Sequence, residues 1–471
     1  MAKKMNFKIL LKALVIGVLL LLMLIPLVFV KNLMSERSDY KGEALRTISN
    51  SWGADQLVSA PFVNVPYSYT VTDKDDDGKI KTRAVEGTVK FSPRNLKADV
   101  SMVAQIRYIG IFQMPVYTAD ITLKGDFSAP ADKTYNGLKP EAAALTIELT
   151  DLKGIAKMPE GNFDGKPLDF APYAGPAVSY SGLLGNDDDY KSNVDLPKTR
   201  PMDSYASYKN YETSPSYDSN SIKAIAAPVN FKNKSGDFEV KFSLRGSGSL
   251  NFVPIARQNN FTVRSSWPDP LFFNSFLPSE KTISAKGFEA KWDISYLASG
   301  VPQSFEKLDV NGSVFGVKLS TPVDNYRNGL RAAKYGVLFI LLTFLACFVF
   351  EIAGKNPIHP FQYILVGLAM AVFYLLLIAV SEFISFGLAY LVAAAAVVIM
   401  ISCYIRYGII KKPGAKYLLV PGLALAVLYV YLYVLLQLQD YSFLFGAIGL
   451  FAGLGAVMYA TRNINWYEEQ A

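Results

Sequence analysis

Three aspartates at alternate positions form the most recognisable set of potential metal ligands in the sequence. Asp73, Asp75 and Asp77 are followed by Gly78, as in the opening of a calcium loop, where alternate carboxylates face one ion and glycine allows a sharp turn. A calcium loop closes with a bidentate glutamate at its twelfth position, and that position here is Ala84. We interpret the segment as the charged tip of a β-hairpin, and the three aspartates remain weak candidates for a metal site.

Four polar residues in the apolar C-terminal part of the chain could act at membrane depth: Glu351, His359, Tyr374 and Glu382. An ionisable side chain in hydrocarbon is costly unless it is paired or hydrated, so such residues are functional candidates. Both glutamates fall near predicted membrane interfaces, where they can reach water or a lipid headgroup. His359 precedes a proline at a predicted helix start. Anchoring at the interface and helix initiation are the simpler interpretations, and proton or substrate movement is the alternative.

Cysteine and histidine are missing from the long polar middle of the chain. The cysteines are Cys347 and Cys403, and the single histidine is His359. Residues 31–333 therefore cannot hold a disulfide, a cysteine nucleophile, a Ser-His-Asp triad or a His-ligated zinc. We expect no catalytic residues, no cofactor and no enzymatic activity. The net charge of +7 does not indicate nucleic-acid binding, because no dense basic stretch is interleaved with aromatic residues.

Apolar runs divide the 471 residues into membrane, polar and membrane parts. Residues 9–30 follow a basic head and are long enough to span a bilayer, and no small-x-small cleavage pattern follows, so we expect an uncleaved anchor. Five further spans are predicted. The runs are residues 335–352, 361–381, 383–405, 417–438 and 443–460. The expected domains are residues 1–34 (basic head and first helix), 35–333 (a polar domain) and 334–471 (five helices and a tail).

The basic residues around the predicted C-terminal helices set the expected orientation. Loops and the tail on one side carry Lys355, Arg406, Lys411, Lys412, Lys416 and Arg462, whereas the short opposite loops carry neither Lys nor Arg. The positive-inside rule then places both termini in the cytoplasm and residues 35–333 outside it. The expected location is a bacterial inner membrane, and the expected partners are the lipid bilayer and an unknown envelope component or membrane protein.

The polar domain has the period of β-strands after a short helix predicted at residues 35–52. Alternating segments bounded by Gly, Pro, Asn and Asp predict strands at residues 87–91, 101–111, 116–123, 145–149, 237–244, 249–253, 259–265, 282–285 and 288–294. Alternation implies one wet and one buried face, so the predicted fold is a large antiparallel β-sandwich between the anchor helix and a C-terminal helical bundle. Residues 174–220 are predicted to form a long surface loop.

Motifs along the chain are similar to those of one bacterial family. They include Trp52-Gly53, Val65-Pro66-Tyr67, Pro115-Val116-Tyr117, Trp267-Pro268, Phe276-Leu277-Pro278, Pro322-Val323-Asp324, Phe350-Glu351, Ile358-His359-Pro360 and Ser381-Glu382. On these residues the sequence resembles the CreD family of inner-membrane proteins, also called cell envelope integrity proteins. One departure is Phe383, where the family pattern suggests a residue such as histidine after the Ser-Glu pair.

The resemblance implies a role in envelope integrity, with tolerance to colicin-like agents, β-lactams and other envelope stress. It implies no reaction. We therefore expect a protein that acts by binding or relay through its outer β-domain. Two alternatives are a transporter, although the spans have almost no charge near their centres, and a membrane enzyme acting on a lipid or a peptidoglycan precursor.

Overall fold

A computed structural model describes residues 7–74, 80–128, 135–173, 223–306, 313–320, 325–354, 358–410, 416–438 and 441–462. The chain divides into two compact units. The β-rich unit is Ala44–Pro322, and the helical unit combines Met1–Glu43 with Val323–Ala471.

The described helices run in order along the chain. They are α1 (Phe7–Leu22), α2 (Leu24–Trp52), α3 (Tyr296–Ser299, in the β-rich unit), α4 (Asn325–Lys334), α5 (Gly336–Gly354), α6 (Pro360–Ser381), α7 (Phe386–Tyr404), a π-helical segment (Ile405–Ile410), α8 (Lys416–Gln437) and α9 (Ser442–Thr461). The predicted helix at residues 35–52 is the end of α2, which begins eleven residues earlier and is shared between the units.

Several helices of the helical unit are apolar over a length that can cross a bilayer. Within the described residues three helices pass this test, or four if α4 and α5, which meet at a bend of 43°, form one span. Two shorter apolar stretches, Pro421–Gln437 and Leu444–Gly455, lie within α8 and α9. Many large apolar side chains of this unit are exposed, including Phe29, Leu391 and Phe451, as suits a surface that faces lipid and not water.

Buried apolar residues at helical spacing attach α2 to the rest of the helical unit. Met23, directly before α2, and Leu27, Val30 and Met34 within it recur every three or four residues and are almost fully buried, so they form one stripe. Glycine allows the close approach: a Cβ at Gly367 of α6 would lie only 2.6 Å from the Met23 sulfur. Small residues at helix contacts are the usual means of tight packing in a membrane bundle.

The β-rich unit contains seventeen described strands. They are β1 (Gln56–Lys74), β2 (Ile80–Phe91), β3 (Asn95–Ile109), β4 (Phe112–Ser128), β5 (Ala143–Leu149), β6 (Ile155–Phe163), β7 (Lys166–Pro167), β8 (Ala171–Tyr173), β9 (Lys223–Val229), β10 (Ser235–Ser247), β11 (Ser249–Phe252), β12 (Gln258–Ser265), β13 (Pro270–Asn274), β14 (Glu280–Ser284), β15 (Gly287–Ser295), β16 (Ser304–Phe305) and β17 (Phe315–Leu319). All nine segments predicted as strands overlap these strands.

The strands form two sheets. The first has the order β13-β17-β11-β1-β5-β9-β8, with β2 paired to β1 and β16 paired to β2. The second has the order β14-β15-β12-β3-β4-β10-β6-β7. The predicted antiparallel arrangement holds for the other strand pairs described, but β1 pairs with β11 and β12 pairs with β3 in parallel. Alternation of apolar and polar residues reports which face is buried, but it does not report strand direction, and both parallel pairs join strands far apart in sequence.

Aromatic contacts between the two sheets define the core. Phe252 and Phe315 of the first sheet meet Phe261 of the second, with ring centroids 5.1 Å and 4.9 Å apart. Trp292 of the second sheet lies 5.3 Å from Phe315. Each such ring stabilises the fold by about 1.5–3 kcal/mol through burial alone. The two sheets therefore pack on one shared hydrophobic core, as in a sandwich.

Candidate functional sites

The predicted metal-site residues fall largely outside the described residues. Asp75 and Asp77 lie there, whereas Asp73 is the second-last residue of β1 and pairs with Lys81 of β2. The last described rung of this antiparallel pair joins Lys74 to Ile80. Within the described residues no group of three or more His, Cys, Asp or Glu side chains is arranged to hold a metal ion.

Glu351 lies near the end of α5 in a polar cluster in which both of its carboxylate oxygens have partners. Its Oε1 accepts hydrogen bonds from the Lys12 ammonium of α1 and from the backbone N–H of Ile358 (2.9 Å). Its Oε2 accepts a hydrogen bond from the Tyr363 hydroxyl of α6 (3.1 Å). The Glu351 side chain is only 8% exposed. The sequence suggested that this carboxylate reaches water or a headgroup, but the structure pairs it inside the protein. The partner comes from α1, more than three hundred residues away, so no local pattern could reveal it.

His359 caps the beginning of α6. Its Nδ1 accepts the backbone N–H of Phe361 (3.2 Å), and its own backbone N–H donates to the Gln362 side chain (2.9 Å). This reciprocal pair satisfies donors that have no partner within the helix. The imidazole is exposed. The geometry gives His359 a structural role at the helix start.

Glu382 and Tyr374 lie elsewhere on α6. Glu382 follows the last residue of α6, about 33 Å from its first residue for a helix of 22 residues, and its carboxylate lies 3.8 Å from the guanidinium of Arg37 on α2. Tyr374 lies between these ends, is buried, and meets the ring of Phe373 edge to face at 5.0 Å. The structure thus separates the two glutamates and forms no common site from the four candidates.

A two-stranded arm of the β-rich unit exposes apolar residues on both faces. We define the arm as residues 103–114. Up to Met102, exposed and buried residues alternate along β3. Met102 also forms the last pair with β12, opposite Ser265. From Val103 onward, β3 pairs with β4 alone among the described strands. Val103, Ile106, Tyr108, Ile109 and Ile111 are between 37% and 64% exposed. A ribbon of two strands is marginally stable in water by itself, so this surface favours a covered state.

The arm is fixed at its base by Trp52, the last residue of α2. The indole N–H donates to the backbone carbonyl of Tyr117 (3.2 Å) on β4. Its ring lies 4.5 Å from the guanidinium of Arg107 in the arm and 5.0 Å from that of Arg245 on β10. Arg107 is the only charged residue in residues 103–114. The arm is therefore an apolar, acid-free projection whose base contacts the end of α2.

Comparison with known proteins gives the relationship of the whole chain. A family model described as "Inner membrane protein CreD" matches residues 8–467. The chain belongs to the CreD family. The inner membrane protein CreD of Escherichia coli (strain K12) is 29% identical over 454 residues, which cover 95% of this chain and 91% of that protein. Neither description names a reaction.

The family is described as one of inner membrane proteins, and the apolar helices of this chain agree with that description. The sequence predicted a strand at residues 101–111 and marked Pro115-Val116-Tyr117, which directly follows the arm, as a family motif. It could not show that the arm leaves the sandwich. The available signal was the run from Ile106 to Met114, which has little of the alternation expected of a half-buried strand.

Proposed function

We propose that this CreD-family protein supports the integrity of the cell envelope, and tolerance of envelope stress, antibiotics and colicins, by binding a partner protein in the envelope. The binding element is the arm of the β-rich unit. The helical unit holds the protein in the inner membrane, and α2, which contributes residues to both units, relays the bound state. No catalytic step is part of this proposal.

The exposed apolar surface of the arm is the observation that carries the proposal. Tyr108 is 64% exposed in the paired part of the arm, where it lies opposite Gln113, and Ile111 is 45% exposed in the turn that joins β3 to β4. Among the described strands, β3 pairs only with β4 after Met102, and β4 pairs only with β3 before Val116, so no third strand extends the sheet along the arm. Open edges together with apolar side chains suit a protein partner that adds a strand or covers the ribbon.

The proposed orientation supports an envelope partner. The basic residues near α6 to α9 place both termini in the cytoplasm by the positive-inside rule, and the β-rich unit then lies on the periplasmic side. The absence of acidic residues from residues 103–114 favours a partner surface that is apolar and not basic.

The test uses a strain that lacks the gene and is complemented with the full chain. A photo-crosslinking amino acid replaces Tyr108, and the matched control replaces Leu297 of α3, which is 79% exposed. We expect an adduct with a protein from position 108 and a much weaker one from position 297. Ile109→Asp with Ile111→Asp should weaken partner capture about tenfold or more, as expected for loss of central apolar contacts, and should remove stress tolerance.

Ile283→Asp is the control for these arm substitutions, because Ile283 is 47% exposed on β14. It should complement fully at the same protein level. If the double variant of the arm also complements fully, and position 108 captures no protein, the arm is not the binding element. Capture of lipid alone at position 108 would equally reject a protein partner.

A further inference from the structure

The helical unit contains a cavity that none of the functional assignments above explains. It has a volume of about 160 Å³ and is lined by residues of α5, α6, α7 and α8 and of the π-helical segment. The lining is mainly aliphatic, with Thr343 and Cys347 on α5 and Gln362 and Tyr363 on α6 as its few polar or thiol groups. A largely apolar pocket with few convergent polar groups is the usual form of a site for a small or chain-like ligand.

One buried hydroxyl in the cavity wall has no hydrogen-bond partner. Thr343 is 3% exposed, and its Oγ1 is unpaired among the described residues. A threonine within a membrane helix ordinarily donates to a carbonyl one turn earlier. An unmade hydrogen bond at a buried hydroxyl costs about 1–3 kcal/mol, so the geometry points to an acceptor or donor supplied by a ligand.

The opposite walls carry two irregularities of helix structure. Pro421 of α8 lines the cavity and has no N–H, so it cannot complete the helical hydrogen bond to the preceding turn. Ile405 opens the π-helical segment and also lines the cavity. Irregular backbone at membrane depth is tolerated where it is buried in protein or lines a cavity, and π-helical turns are frequent at functional sites.

Gln362 and Tyr363, in the first turn of α6, contribute polar groups to the cavity wall. Tyr363 is held there by Glu351, which is in turn held by Lys12, whereas Val366, Ile401, Ala424 and Leu425 supply apolar walls. The lining thus combines one unpaired hydroxyl with a few other polar groups and mainly apolar walls. A cavity of about 150 Å³ holds a molecule the size of benzene, so this one takes a chain segment of similar volume.

We propose that the cavity binds part of the hydrocarbon chain of an amphiphile from the bilayer, with an oxygen of that amphiphile hydrogen-bonded to Thr343. An acyl chain with its ester oxygen and a polyprenyl chain with its terminal oxygen share this chemistry. The proposal does not depend on the function of the arm, because every residue used lies in the helical unit.

The experiment uses the full chain in vesicles that contain either a diazirine-labelled acyl lipid or a diazirine-labelled polyprenyl phosphate. Crosslinked peptides are identified by mass spectrometry. We expect adducts on the cavity-lining segments of α5, α6 or α8 with one of the two probes, and the probe that reacts identifies the source of the chain. Competition by the unlabelled compound measures the affinity.

Two substitutions separate the cavity from the outer surface of the bundle. Ala424→Phe should fill the cavity and reduce these adducts at least about tenfold, since the ring and the chain cannot share one volume. Ala396→Phe is the matched control, because Ala396 is an exposed residue of α7, and it should leave the adducts unchanged. Each variant is checked for folding by size-exclusion chromatography and thermal unfolding.

Thr343 is tested with two variants. Thr343→Val removes only the hydroxyl and should weaken binding about threefold to tenfold, the value of one hydrogen bond, and Thr343→Ser should restore it. Adducts that fall only on the exposed surface, or that persist unchanged in Ala424→Phe, would overturn the proposal. Unchanged affinity in Thr343→Val would overturn the assignment of its hydroxyl as the ligand-binding group.

Discussion

At the scale of single residues, a buried ion pair is the most consequential polar contact in the β-rich unit. The Lys90 ammonium of β2 lies 2.8 Å from the Glu148 carboxylate of β5, and the two side chains are 2% and 1% exposed. The ammonium also lies 5.7 Å from the centre of the Phe62 ring. Both residues flank β1 in the first sheet, so the pair crosses above the strand that begins immediately after α2.

Removal of one partner from this pair should be strongly destabilising. Lys90→Met keeps a long side chain but leaves the buried Glu148 carboxylate without its cation, and the expected cost is about 3–5 kcal/mol in the free energy of unfolding. Lys90→Met combined with Glu148→Leu should recover most of this loss, because no buried charge remains. Denaturant unfolding of the full chain in detergent, followed by tryptophan fluorescence, measures both values.

The exposed pair of Lys291 and Glu280 provides a matched control. Its ammonium and carboxylate are 2.9 Å apart, nearly the same distance as in the buried pair, but the side chains are 49% and 72% exposed. Lys291→Met should lower the free energy of unfolding far less than Lys90→Met does, because solvent screens this pair. Equal losses for Lys90→Met and Lys291→Met would show that burial does not determine the strength of these pairs.

At the scale of elements, the junction between α2, β1 and β11 depends on one half-buried carboxylate. Asp55 follows the end of α2 by three residues, and its Oδ1 accepts the backbone N–H of Ser249 (2.7 Å) and its hydroxyl (2.8 Å). Gly248 has a φ of +66°, and a Cβ there would lie 2.6 Å from the same oxygen. Glycine is therefore required for the close approach of β11 to Asp55.

The junction should make stability depend on pH. Burial raises the pKa of the Asp55 carboxyl above its ordinary value of 3.8, although the hydrogen bonds from Ser249 and the charge of Lys318 act in the opposite direction. A carboxyl with a raised folded pKa contributes stability that is complete below the unfolded value and is lost as pH rises through the folded value. Asp55→Asn keeps the acceptor oxygen and removes the titration.

We therefore expect the stability of Asp55→Asn relative to the wild type to increase as pH rises from below 3.8 towards neutrality. Unfolding free energies of the full chain, measured across this range, test the sign. Glu280→Gln is the control of opposite sign, because Lys291 lowers the pKa of the exposed Glu280 carboxyl; the stability from that group is lost as pH falls. A difference between Asp55→Asn and wild type that is independent of pH would show that Asp55 does not titrate on folding.

The same elements show what the sequence can and cannot predict. Alternation of apolar and polar residues located β3, β4, β10, β12 and β15, because a strand with one buried face has apolar residues at every second position. It missed β9, whose residues Lys223–Val229 carry four apolar residues in a row at their centre. Contacts between distant parts, such as Lys12 with Glu351, arise from tertiary packing alone. Residues 101–111 were predicted as a strand. The exposure of the arm could not be predicted, because it depends on where the neighbouring strands β12 and β10 end.

At the scale of the whole molecule, helix length bears on the number of membrane crossings. Six spans were predicted, and the described residues contain three or four helices that pass a strict test of length and hydropathy. α8 has 22 residues and α9 has 20, which corresponds to about 33 Å and 30 Å. Both lengths match the hydrocarbon core of a bilayer of about 30 Å. We therefore keep six crossings as the proposal.

Six crossings require both termini to lie on the same side of the membrane, because an even number of spans returns the chain to its starting side. We predict that a fluorescent protein fused after the C-terminus is fluorescent in the cytoplasm and that alkaline phosphatase inserted within residues 174–220 is active outside it. Phosphatase fused after Leu438, in the predicted loop between α8 and α9, should also be active. The basic residues near α6 to α9 supply the physical reason, since Lys and Arg remain on the cytoplasmic side. A fluorescent fusion after Leu438 would mean that α8 does not cross, whereas phosphatase activity at the C-terminus would mean that the number of spans is odd.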